Sequence, residues 1–211
     1  MALNADSLID PELASHTKAT LLSGENLTFY IDQTSGWNTL DRYILTSEGI
    51  VKSPNSIRNY NLGHNKFYTD FFRETLEKLD KIIDLDFHEM SHNNGSMLDI
   101  YYVNYSSNFS AKNVVGQAIP QTSNAGAWWE IIWKDATSLG DNDYKHNFNT
   151  IVHELGHVLG LSHPFNDPFN EKWNSQDTVM SYNKGNADWN HWFSQIDINS
   201  LIKIWGREND L

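Results

Sequence analysis

The 211-residue chain predicts an α+β domain. Three observations point there. Residues 66–83 carry apolar side chains at helical spacing. Several short strand-like runs lie between residues 27 and 133. Two further helices follow, one bearing histidines and one near the end of the chain, with irregular sequence between them. Helices that do not alternate strictly with strands suit α+β architecture. The length is enough for one domain with a full-size core.

In chain order, Met1 to Thr20 has no basic start and no continuous apolar stretch, so it does not read as a secretory signal. Residues 1–24 are set apart as an N-terminal segment without an assigned role, and 25–211 as the domain. Leu27-Thr28-Phe29-Tyr30-Ile31 reads as a strand. The stretch from Thr34 to Asn65 is rich in Ser, Asn and Gly and offers few periodic cues. Phe67, Phe71, Leu76, Leu79 and Ile83 then mark one helix face. Leu85 to Met90 and Met97 to Asn104 are strands around an Asn93-Asn94-Gly95-Ser96 turn. Val114 to Ile119 and Ala127 to Trp133 are two more. A polar linker over 135–146 leads to a helix starting near Asn149 or Thr150, with Asn149 as its N-cap. After His163 come Pro164, Pro168 and several asparagines, which read as loop. Ser194 and Asp197 resemble a capping box opening a last helix, which Gly206 ends.

Composition narrows the function classes. The net charge is −12, and phosphate binding needs a basic face, so a nucleic-acid partner is not expected. No run is long enough to span a membrane. Cysteine is absent, so neither a disulfide nor latency by a thiolate on a metal is available. Internal repeats are absent too, and a monomer is expected.

The chemistry concentrates in His153-Glu154-Leu155-Gly156-His157-Val158-Leu159-Gly160-Leu161-Ser162-His163. His153 and His157 are four apart, so on a helix they share a face and can share a metal. Glu154 is rotated by roughly 100° from His153, within reach of a water on that metal. A continued helix would carry His163 about 9 Å beyond His157. It joins the site only if the helix stops, and Gly160 permits the left-handed turn that stops it. Three neutral imidazoles with an open position suit one catalytic zinc, with Glu154 as general base. Five specified positions in eleven arise by chance in on the order of one in ten thousand chains of this length.

Downstream lies Asp177-Thr178-Val179-Met180-Ser181-Tyr182. HExxHxxGxxH followed by such a methionine turn resembles the metzincin metalloproteases. Pro164 and Met-Ser-Tyr are most similar to the serralysin (peptidase family M10) branch. The resemblance covers about residues 25 to 207 and is specific over 147–164 and 177–182. It implies a twisted, mainly parallel sheet with an antiparallel edge strand, packed on a long helix and the metal helix. An upper subdomain would run to about 163, and a small irregular lower one, 164–211, would end in a helix. It further implies a zinc endopeptidase acting on protein or peptide substrates. His153, His157 and His163 would be zinc ligands. Met180 would form a hydrophobic floor. Tyr182 would be a displaceable extra ligand that stabilises the oxyanion, and Gly116-Gln117-Ala118-Ile119-Pro120 the strand that pairs with substrate. The region of Trp189, Trp192 and Phe193 would form part of the wall of the pocket for the side chain after the scissile bond; core packing explains these residues equally well.

The chain departs from that family in lacking GGxGxD calcium-binding repeats, so calcium and the repeat-borne export route have no support, although the family favours secretion. Asp135, Asp141 and Asp143 could bind calcium, but a solvated acidic loop is the plainer reading. His88 and His92 have metal-like spacing in a segment that reads as strand and turn. Asp6 or Asp10 could cap the zinc from the N-terminal segment. The competing function classes are a metzincin scaffold that binds a peptide or protein without cleaving it, and a zinc hydrolase of non-peptide substrates.

Overall fold

The computed structural model describes residues 2–21, 24–140, 143–186 and 188–209. It is a mixed α+β fold with a mostly parallel central sheet and, among the described residues, four α-helices. The helices are α1 (Pro11–Thr20), α2 (Lys66–Asp80), α3 (Tyr144–Val158) and α4 (Gln195–Trp205). The strands are β1 (Asn26–Ile31), β2 (Gly36–Leu40), β3 (Tyr43–Thr46), β4 (Gly49–Lys52), β5 (Ile57–Asn61), β6 (Asp86–Glu89), β7 (Leu98–Ser106), β8 (Gly116–Ser123) and β9 (Gly126–Trp133).

Strands β6, β1, β7 and β9 lie side by side and parallel. Strand β8 returns antiparallel on β9 and forms an edge. Beyond the end of β1, β5 takes its place beside β7, antiparallel, and β2 pairs with β5. Strands β3 and β4 make a separate hairpin. Alternation explains the strands that were legible: Leu27, Phe29 and Ile31 of β1 are buried.

One core holds Leu27, Phe29, Ile100 and Ile131 from the sheet, Phe72, Leu76 and Leu79 from α2, and Ile151, Val152 and Leu155 from α3. A second, smaller cluster joins Tyr101, Val103, Ile119 and Ile132 to Leu40 and Ile57 from the 34–65 stretch. That stretch supplies β2 to β5, where the sequence offered few cues. A buried relay fixes its exit: Trp133 Nε1 donates to His64 Nε2 at 2.9 Å, and His64 Nδ1 donates to the Asp32 carbonyl at 2.7 Å. The Trp133 bond requires a bare Nε2 and so a neutral His64, and burial lowers its pKa to about 4.

The N-terminal segment, to which the sequence assigns no role, holds a helix, and one expected helix boundary needs correction. Residues 1–24 include α1, capped by the Asp10 carboxylate on the Glu12 and Leu13 amides and opened by Pro11. Helix α3 begins at Tyr144, capped by Asp143, rather than at Asn149. Asn149 lies inside the helix, and its Nδ2 reaches the Asn190 carbonyl at 2.6 Å. The last helix follows the sequence closely, with the Ser194–Asp197 capping box formed and Gly206 ending it. No helix among the described residues is long and apolar enough to cross a membrane.

Candidate metal centre

Helix α3 carries His153 and His157 one turn apart on a buried face. The helix ends at Val158, Gly160 adopts φ +96°, and the chain turns back so that His163 meets the other two. One donor atom from each of the three rings lies within 4.8 Å of the others. His153 Nε2 and His163 Nε2 are 3.3 Å apart. Among the described residues no other group of three or more His or carboxylate side chains converges in this way.

The ring orientations have a backbone cause. His153 Nδ1 is 2.8 Å from the Val179 carbonyl, and His157 Nδ1 is 2.8 Å from the Leu161 carbonyl. A carbonyl only accepts, so each Nδ1 carries the hydrogen and each neutral ring turns a bare Nε2 into the centre. Burial keeps the rings neutral. Desolvation, then the neighbouring histidines, lower the pKa of His153 far below the ordinary value and that of His163 to about 3. Desolvation likewise lowers His157. Such a set of neutral nitrogens could hold a metal ion.

Val179 is itself anchored. Asp197, fully buried in the first turn of α4, accepts from the Thr178 hydroxyl at 2.5 Å and from the amides of Val179 and Ser194 at 3.0 and 2.8 Å. Desolvation raises the Asp197 pKa while these donors oppose the rise. The carboxylate thus ties α4 to the turn whose carbonyl orients His153. The sequence signalled Asp197 as a capping residue only.

Met180 is buried directly beneath α3: a Cβ on Gly156 would lie 2.5 Å from its Sδ. A glycine in mid-helix costs about 1 kcal/mol against alanine, which is the sequence signal for such a close approach. Tyr182 borders the centre, its ring centroid 5.2 Å from that of His153 and 4.9 Å from that of His163. Its pKa is pushed up to about 12 by desolvation and then by Glu154.

Glu154 is buried between α3 and β8. It accepts from the Ala118 amide, and desolvation raises its pKa to about 8 against that bond. Strand β8 can come so close because Gly116 has no side chain: a Cβ there would sit 2.5 Å from Glu154 Oε1. The Lys134 amide donates to the Val115 carbonyl at 2.8 Å, so β8 bonds β9 through its odd-numbered residues. The even positions, Gly116, Ala118, Pro120 and Thr122, face away from β9. A cavity of about 380 Å³ joins His153, Glu154 and Tyr182 to Gly116, Thr150 and Trp189. Trp189 stacks on His146 with centroids 4.1 Å apart. Trp192 and Phe193 instead pack against the main core.

Other expected residues lie elsewhere. Asp10 caps α1 and Asp6 pairs with Lys203; neither lines the cavity that holds His153, Glu154 and Tyr182, although both border His163 on another side and the Asp10 charge reaches His157. Asp135 caps a 3₁₀ turn over Ala136–Leu139, and Asp143 caps α3 and pairs with Lys184; Asp141 lies outside the described residues. His88 lies on β6 and His92 in the turn after it, without a third converging ligand among the described residues. No protein-family model and no curated protein matches this chain.

Proposed function

We propose that the chain is a zinc-dependent endopeptidase of the metzincin type, most similar to serralysins, that cleaves extended polypeptides. One observation carries the reading. Three inward Nε2 atoms stand beside a buried carboxylate, in a groove bounded by a strand edge. The donor set fits zinc. A tetrahedral ion with bonds of about 2.0–2.1 Å to nitrogen needs its ligand atoms about 3.3 Å apart; the His153–His163 pair stands at 3.3 Å, and all three donors lie within 4.8 Å of one another. A bound zinc would supply Lewis acidity, acidifying a coordinated water and polarising a carbonyl.

The chain's own residues account for the rest. A peptide lies along the outward edge of β8 and bonds to its main chain, as strand addition requires. Glu154, held by the Ala118 amide, takes the proton of the attacking water and returns it to the leaving amine. Tyr182 donates its hydroxyl hydrogen to the developing oxyanion. Met180 and Asp197 act through the histidines, by packing and by fixing the Val179 carbonyl.

Glu154→Gln separates binding from chemistry. We expect the variant to keep its zinc and to lose cleavage of casein by about 10²–10⁴-fold. Chelator should abolish wild-type cleavage and zinc should restore it. Wild-type-like cleavage by Glu154→Gln, or cleavage indifferent to chelator, defeats the reading. Zinc uptake by a wild-type chain that cleaves no peptide would leave a peptide-binding scaffold.

A further inference from the structure

No N-terminal residue lines the cavity that holds His153, Glu154 and Tyr182, yet the N-terminal segment reaches the histidines from another side. The Asp10 amide donates to the Gly160 carbonyl at 2.9 Å, and the Ser162 amide donates to the Leu8 carbonyl at 2.7 Å. Ile9 and Leu161 form an antiparallel bridge between those bonds. Leu8 is fully buried in the main core. Helix α1 follows directly and seats Ala14 against Gly160, where a Cβ would fall 2.9 Å from that of Ala14. Thr17 of α1 bonds the Val158 carbonyl.

The residues held this way are the connection between the second and third histidines. The Leu161 carbonyl orients His157 through Nδ1, and His163 is two residues beyond Leu161. Outside a helix or strand, such a tripeptide has no ladder to fix it. Here the partners of the Gly160 carbonyl and the Ser162 amide both come from Leu8–Asp10. We infer that Leu8–Asp10 is a positioning strap for the metal centre, one whose docking sets metal affinity without touching metal or substrate. The inference rests on the proposed zinc site.

The test uses the full chain. Asp10→Pro removes the amide hydrogen that Gly160 accepts, together with the carboxylate cap; Asp10→Ala removes the carboxylate alone and serves as the control. Zinc affinity is read by competition with a chromophoric chelator, and thermal unfolding is followed with and without zinc. We expect Asp10→Pro to bind zinc roughly tenfold more weakly than Asp10→Ala, with a smaller zinc-induced rise in Tm. A purely structural strap would lower the melting temperatures, that of Asp10→Pro the more, and leave the zinc affinities of the two variants alike, and that result overturns the inference.

A second measurement needs no variant. Coupling is reciprocal, so if strap docking tightens zinc, zinc must tighten strap docking. Hydrogen exchange should slow over residues 5–10 as well as 159–163 when zinc is added to the wild-type chain. Unchanged exchange over 5–10 overturns the inference. A wild-type chain that takes up no zinc overturns this inference and the proposed function together. Zinc uptake with equal variant affinities overturns the strap alone.

Discussion

Glycines mark the closest approaches around the proposed catalytic carboxylate and its floor. Gly160 was legible because a helix must stop there for His163 to return. Gly116 was not, and Gly156 signalled an approach without its partner, because what they admit, Glu154 Oε1 and Met180 Sδ, comes from distant parts of the chain. Gly116 gives the sharper test. An added methyl group would stand 2.5 Å from the Glu154 carboxylate and 2.8 Å from Thr150 Cγ2. Either Glu154 turns aside or β8 moves off, and the Ala118 bond suffers in both cases. Displacing a catalytic group by about 1 Å can cost on the order of 10²-fold in rate. We expect Gly116→Ala to bind zinc like the wild type while kcat/KM for a peptide falls by about 10–100-fold. Zinc stoichiometry with steady-state kinetics on one fluorogenic peptide checks this, and undiminished kcat/KM would remove Gly116 from any positioning role.

Among the elements, the legible ones bury apolar side chains at a regular period; of the missed ones, β5 and α1 bury polar or small side chains and β3 and β4 bury none. In β5, Ile57, Asn59 and Asn61 face inward while Arg58 and Tyr60 face out, so buried asparagines conceal the alternation. Helix α1 buries Ala14, Thr17 and Thr20, a face that hydropathy does not register, although Asp10-Pro11 is a start signal. Helix α3 begins five residues before the expected cap because Asn147 and Asn149 are buried within it. These placements shape the groove. His146, Asn149, Thr150 and His153 lie along one side of α3 and line the cavity, which closes on Trp189. On the proposed function, a peptide antiparallel to β8 would have its C-terminal half beside Val114, Val115 and Gly116, where the cavity lies. We expect the side chain after the scissile bond to be bulky and uncharged, and Trp189→Ala to broaden that preference with zinc content unchanged. Cleavage-site profiling on a proteome-derived peptide mixture measures it; identical profiles would place Trp189 outside the specificity pocket.

At the scale of the molecule, the histidine centre was legible because its spacing is local, whereas the charge buried in the sheet is a product of register. Strand pairing sets Asp99 of β7 opposite Glu130 of β9, both buried, with buried Asp32 just beyond β1. Desolvation first, opposed by the Ser96 hydroxyl, and then Glu130, raise Asp99 to about 7. Desolvation, opposed chiefly by the Gln121 amide, raises Glu130 to about 7. Unfolded carboxyls titrate near 4. Between about pH 4 and about pH 7 the folded state therefore holds more protons on these groups than the unfolded state, and their contribution to stability falls as pH rises. It is complete below about pH 4 and lost once pH passes about 7. Neutral His64, held near 4, has the opposite slope over pH 4 to 6.5, so the wild-type profile alone would mix the two. Glu130→Gln isolates the carboxyl. The amide oxygen can still accept from Gln121 Nε2, now 3.0 Å from Glu130 Oε2, and it cannot ionise. We expect the variant to gain on the wild type by about 1–3 kcal/mol between pH 5 and pH 8 in chelator, read as ΔG from urea unfolding at each pH. A difference independent of pH would mean that Glu130 ionises as freely in the fold as in the unfolded chain.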